Sequence, residues 1–182
     1  MSADLHDPGG KVRLALMPGV QGDATFSPDG RYRQLMRRWI GDGFPDRYIL
    51  FIGMNPSTAD AAVNDPTCAR EWSFTQREGF QAMVKANVGD YRATDPKMLL
   101  APGVEASSPD NLPAIRQVAA GAERVILCHG KLNKALAPAG KALVEALKAD
   151  GLELWCFGTN ADGSPKHPLY LRGDTPLRRF EA

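Results

Sequence analysis

Tyr48-Ile49-Leu50-Phe51-Ile52-Gly53-Met54-Asn55-Pro56-Ser57-Thr58-Ala59-Asp60 is the stretch whose reading decides the fold. Its first five residues are a continuous apolar run, the pattern of a strand buried on both faces. The run stops at a glycine and gives way to an asparagine, a proline and two hydroxyl residues. Asp65-Pro66 follows with the chemistry of a helix cap and a first helical position. A strand that ends in small and polar residues just before a helix is where α/β folds place ligands.

Working outward, the downstream chain alternates. Arg47 to Gly53 reads as a strand, Pro66 to Glu78 as a helix with Gly79 past its end, and Gln81 to Val88 as a strand. Asp110 to Ala120 reads as a helix, Glu123 to Cys128 as a strand, and Leu132 to Ala149 as a helix broken or restarted at Pro138. Leu152 to Phe157 is the last strand. This alternation predicts right-handed βαβ units, hence a three-layer α/β/α domain around a four-stranded parallel core sheet. Upstream, Val12 to Leu16 and Asp23 to Phe26 read as short strands, and Ser27-Pro28-Asp29-Gly30 as the turn of a hairpin into Arg31-Tyr32-Arg33. Residues 32–40 fit either periodicity, and the turn before them favours a strand, so the N-terminal segments are expected to add antiparallel edge strands. Residues 1–11 read as a flexible tail and 12–182 as a single α/β domain.

Bulk properties narrow the classes. At 182 residues the chain is long enough for one full core. A formal net charge of +1 gives no strong field toward nucleic acid or membrane, although a local patch can hide in that total. No apolar stretch is long enough to span a bilayer, and the first ten residues lack a signal-peptide pattern, so a cytoplasmic protein is expected. Cys68, Cys128 and Cys156 are odd in number and widely spaced, which reads as small buried hydrophobes and not as a metal set. Gly-x-x-x-x-Gly-Lys-Ser/Thr, Gly-x-Gly-x-x-Gly and Gly-x-Ser-x-Gly are all absent, which argues against an NTPase, a dinucleotide enzyme and a serine hydrolase. No cofactor and no metal are expected.

The carboxyl ends of the four strands run into Gly53 to Thr58, Asn87 to Thr94, His129-Gly130-Lys131 and Gly158 to Tyr170. Asn55 offers both donor and acceptor to a water or a planar ligand; the competing role is to hold the turn before Pro56. Asn87 ends a strand on the face opposite Ala82, Val84, Ala86 and Val88, where it either meets a ligand or caps the loop. His167, before Pro168, suits a proton donor or a stabiliser of a leaving anion, and otherwise is a structural histidine. His129-Gly130 reads first as a tight turn. Asp65 reads first as a helix cap, Trp72 and Phe74 first as core and second as a stacking wall, and Arg70 and Arg92 as candidate anion contacts. Arg31, Arg33, Arg37 and Arg38 read first as a solvated face and second as anion contacts.

Taken together, Met54-Asn55-Pro56-Ser57-Thr58-Ala59-Asp60, Asp65-Pro66-Thr67, Asn87, Arg92-Ala93-Thr94 and His167-Pro168-Leu169-Tyr170-Leu171 resemble the DUF1643 family, a bacterial and phage group with no assigned function. More distantly, Gly53-Met54-Asn55-Pro56 is similar to the Gly-x-(Asp/Asn)-Pro motif of the uracil-DNA glycosylase superfamily, a three-layer α/β fold. There the Asp or Asn positions the attacking water. Asn87 stands comparably to an asparagine that reads the base edge, and His167-Pro168 to a motif whose histidine stabilises the departing base. Leu169-Tyr170-Leu171 departs from the Ser-rich segment that follows in that superfamily.

The resemblance implies an N-glycosidic-bond hydrolase acting on a base in nucleic acid or nucleotide. In it Asn55 and His167 are the catalytic pair, and Gly53, Pro56, Ser57, Asp65, Arg70, Phe74, Asn87 and Arg92 serve substrate binding. The alternatives are a non-catalytic nucleobase- or nucleotide-binding module, and a small-molecule hydrolase or transferase unrelated to nucleic acid. An electropositive rim of Arg31, Arg33, Arg37, Arg92 and Arg172 would favour a polymeric nucleic acid.

Overall fold

The computed structural model describes residues 12–181; the tail expected at 1–11 lies outside them. The apolar run becomes strand β4 (Ile49–Gly53), buried at every position. Around it a seven-stranded sheet is ordered β2 (Val20–Phe26), β3 (Arg33–Ile40), β6 (Ala82–Asn87), β4, β7 (Arg124–Leu127), β8 (Leu154–Cys156) and β9 (Arg178–Arg179). The β6–β4, β4–β7 and β7–β8 pairings are parallel. The β2–β3, β3–β6 and β8–β9 pairings are antiparallel, so the sheet is mixed. A separate two-stranded sheet pairs β1 (Leu14–Ala15) with β5 (Val63–Asn64).

Period-2 side-chain alternation divides the sheet between two cores. Leu50 and Ile52 of β4 and Val84 and Ala86 of β6 point to one face, where they meet Ile115, Val118 and Ala119 of α2 (Asn111–Gly121) and Leu143 and Leu147 of α3 (Ala137–Ala149). Ile49, Phe51 and Met83 point to the other face and meet Cys68, Trp72 and Phe74 of α1 (Pro66–Arg77). The result is a mixed α/β fold with helices on both faces of the sheet. Residues 32–40 settle as strand because the Ser27–Gly30 turn returns the chain along β2, with Thr25 opposite Leu35.

Two expectations are corrected. Arg33 and Arg38 are not on a solvated face: both are fully buried within β3. The third helix starts at Ala137, with the proline in its first turn, where a missing N–H costs nothing; residues 132–136 are not helical. Strand β1 falls within the short strand expected at Val12 to Leu16, whereas β5 and β9, each two residues long, carry too little pattern to be seen in sequence. Trp72 and Phe74 take the first of their two expected places, in the core; Phe74 packs on Phe157 with ring centroids 4.4 Å apart.

Candidate functional site

A cavity of about 330 Å3 opens at the carboxyl ends of β4 and β6, within the size range of small-ligand sites. Its walls come from all four strand-end loops: Asn55 after β4, Asn87 at the end of β6, His129 after β7 and His167 after β8. Gly53, Ser57 and Asp65 also line it. Pro56, Arg70, Phe74 and Arg92 do not. Arg70 donates to the Leu171 carbonyl and lies over the Phe74 ring. Arg92 donates to the Gly30 carbonyl at 3.0 Å, over Phe26.

The helix cap forms as its chemistry requires. Asp65 is extended and its Oδ1 accepts the Cys68 N–H at 2.8 Å. This sets the N-terminus of α1, with Thr67 and Cys68, against the cavity. Asn55 donates through Nδ2 to the Ala93 carbonyl at 2.8 Å and to the Pro56 carbonyl at 3.1 Å. That pair of bonds staples the β4 loop to the loop after β6 and fixes which end of the amide is nitrogen. Asn87 is held from behind: Asn111 of α2 donates to the Asn87 and Val88 carbonyls, each at 3.0 Å. The Asn87 side chain is buried, and its own Nδ2 has no hydrogen-bond partner among the described residues.

Glycine is required at 53 by a close approach. A Cβ there would fall 2.5 Å from Lys85 Nζ and 2.8 Å from Asn87 Oδ1. Lys85, Asn87 and Met83 share one face of β6, so the lysine runs beneath the cavity toward α1. There it pairs with Glu71, which is fully buried in the core-facing stripe of α1. Burial works against the Lys85 charge, but the Glu71 carboxylate outweighs it and holds the ammonium protonated. Burial pushes the Cys68 and Cys128 thiols up, so neither is a ready nucleophile.

The two histidines present opposite atoms. Leu169 N–H donates to Nδ1 of His167 at 3.3 Å, which leaves the proton of the neutral ring on Nε2. His129 Nδ1 lies 2.7 Å from the Gly130 carbonyl, an acceptor, so His129 carries its proton on Nδ1. Burial, reinforced by the Lys85 charge, lowers the His167 pKa to about 4. Burial likewise lowers that of His129. Both are neutral near pH 7, and His167 offers a neutral N–H donor. Gly130 takes a positive φ of 67° just after His129, which turns the backbone sharply out of the site.

Sequence reading missed Lys85, Glu71 and Asn111, and gave Arg33 a place in the site only as the second reading of a solvated arginine face. A lysine in the middle of Ala82-Met83-Val84-Lys85-Ala86-Asn87 was the available signal, because a charge inside an apolar strand needs a partner. Tyr170, 86% exposed at the mouth, is the aromatic residue that reaches this cavity, in place of Trp72 or Phe74. Among the described residues, no group of three or more His, Cys, Asp or Glu side chains is arranged to hold a metal ion. Nor is any described helix long and apolar enough to cross a membrane.

Comparison with curated proteins and with solved structures returns no match. The family model described as "Protein of unknown function (DUF1643)" matches residues 31–169, a span that includes every cavity wall named above except Tyr170, and the chain belongs to that family.

Proposed function

We propose that the cavity receives a base and that the chain hydrolyses an N-glycosidic bond in a nucleic acid or nucleotide. The observation that carries this reading is the convergence of Asn55, Asn87 and His167 on one cavity, with a buried and unpartnered Asn87 N–H among them. In this reading Asn87 Nδ2 donates to a base carbonyl. Asn55, its nitrogen committed to backbone carbonyls, turns Oδ1 to a water and orients it. The water oxygen bonds to the sugar carbon as the carbon–nitrogen bond breaks. The bonding pair leaves with the base, and the water proton passes to solvent. His167 Nε2–H donates to the oxygen on which the base anion develops. The parallel pairings of β6, β4, β7 and β8, with loops converging at their carboxyl ends, support the likeness to the uracil-DNA glycosylase superfamily, although fold likeness alone does not carry an activity.

A single base or nucleotide suits the site better than a long duplex. Arg31, Arg37 and Arg172 each face an aspartate, at 3.6, 3.5 and 3.1 Å, and none lines the cavity. A base in a duplex must also be flipped out, which costs a few kcal/mol. The test is base release from panels of single-stranded and duplex DNA, RNA and nucleotides. Asn55→Ala and His167→Ala are each expected to lower the rate by about a hundredfold; release that both substitutions leave unchanged sinks the mechanism.

The second reading, a base-binding module without catalysis, is favoured by the same Asn55 bonds, which explain that residue as a loop staple. A protein that binds a base or nucleotide in this cavity and turns over none of the panel decides for it.

A further inference from the structure

Two arginines five positions apart are buried in β3, and they differ in one respect. Arg38 is fully satisfied by neutral acceptors: its Nε donates to Asn64 Oδ1 at 3.0 Å, and its other nitrogens to the carbonyls of Arg37, Asp60 and Val63. Arg33 is 1% exposed and lines the cavity, yet it donates only to the Ala59 carbonyl, and its Nε has no partner among the described residues. No described carboxylate lies within 4.0 Å of it. A buried guanidinium with an idle donor and no counter-charge is costly unless something supplies both. The unpartnered Asn87 Nδ2 lines the same cavity, as does Lys85. Lys85 is paired with Glu71, whereas Arg33 makes no ion pair with any described carboxylate, the Asp65 carboxylate that caps α1 from the same cavity wall included. The N-terminus of α1 adds its dipole from the same side.

We propose that Arg33, Lys85 and Asn87 form an oxyanion-binding floor, so that the ligand seats with a carboxylate- or phosphate-type group innermost. Idle N–H donors on Arg33 and Asn87, with the Glu71-paired Lys85 ammonium lining the same cavity, match an oxyanion that accepts several hydrogen bonds and balances Arg33. An amino group in that position would set donor against donor. The inference rests on the proposed reading in taking the same cavity as the ligand site, and it gives Asn87 Nδ2 the oxyanion as its partner in place of a base carbonyl; it names the substrate class as an acidic base or a nucleotide that enters phosphate first.

The experiment is calorimetric titration of the full chain with inorganic phosphate, orotate (a base bearing a carboxylate) and uracil (a neutral base of similar shape). At least one of the two oxyanions is expected to bind at least about tenfold tighter than uracil. Orotate without phosphate identifies a carboxylated base, and phosphate binding identifies the phosphate of a nucleotide. Arg33→Met is expected to weaken the preferred oxyanion by at least about tenfold and to leave uracil unchanged. Because Arg33 is buried, the near-isosteric Asn87→Asp is the second variant. It puts a carboxylate where the oxyanion would lie and is expected to abolish oxyanion binding in a protein whose circular dichroism is unaltered. Uracil binding as tightly as both oxyanions, no binding of any probe, or oxyanion binding unaffected in folded Asn87→Asp would each overturn the proposal. Base release without oxyanion preference sinks this inference and leaves the hydrolase reading standing; oxyanion binding without base release does the reverse.

Discussion

His167 illustrates how one residue's role depends on what buries it. Burial and the charge of Lys85 hold its pKa near about 4, below the ordinary 6.5, so between those values the unfolded chain binds more protons than the folded one. A depressed histidine therefore contributes stability that is complete above pH 6.5 and is lost as pH falls toward about 4. His129, also lowered by burial, acts in the same direction. Urea unfolding followed across this window is expected to show stability rising with pH, and His167→Gln to flatten part of that slope. In an NMR titration the His167 ring should stay neutral until the pH approaches 4. A midpoint near 6.5 would remove both the neutral donor and the pH dependence assigned to it.

At the scale of elements, the contact of α1 with β6 is where the site and the core merge. Cys68, Glu71, Trp72 and Thr75 follow helical spacing on the buried side of α1. A purely apolar stripe there would pack well; instead it carries a carboxylate aimed at the one lysine of β6. Such a pair resists the loss of one partner far more than the loss of both. Lys85→Met alone is expected to cost about 3–5 kcal/mol, because Glu71, whose carboxyl burial already pushes toward the protonated form, is left in the core without its counter-charge. Adding Glu71→Leu is expected to restore most of that stability, and the cycle is measured by urea unfolding. If the double variant is no more stable than the single one, the pair is not the isolated ionic contact described, and the floor of the cavity depends on it more deeply.

For the whole molecule, stability should be graded outward from β4. That strand is paired on both sides, by β6 and β7, and covered on both faces, by α1 on one and by α2 and α3 on the other. β9 sits at the edge with both residues exposed, and β1 pairs only with the two-residue β5. Native-state hydrogen exchange is expected to protect the amides of β4, β6 and β7 most strongly and those of β9 and β1 least. Comparable exchange in β4 and β9 would contradict the layered core. The cavity lies where these regimes meet: its floor stands on the protected strands, and its mouth is formed by the loop carrying His167 and Tyr170.

What the sequence determined by itself is what depends on neighbours along the chain. Tyr48 to Gly53 declares a buried strand, Asp65-Pro66 a capped helix, and Ser27 to Gly30 a hairpin turn, because periodicity, capping and turn chemistry act over a few residues. The same local signals set four polar loops at strand ends, and Asn55, Asn87, Ser57, Asp65 and His167 were legible as residues that line a site. Only the tertiary structure decided which charges belong inside. Arg33, Glu71 and Lys85 come from a strand, a helix and another strand; Arg33 and Glu71 read by sequence as ordinary surface charges, and Lys85, set in an apolar strand, signals a partner without naming it. They are buried because each meets acceptors or a counter-charge supplied by a distant segment: Ala59 for Arg33, and α1 and β6 for the ion pair. Arg92 and Phe74 were drawn away for the same reason, one to Gly30 and the other into the core. Phe51 to Asn55 still marks the site, but what lies beneath it was set by segments that meet only when the chain has folded.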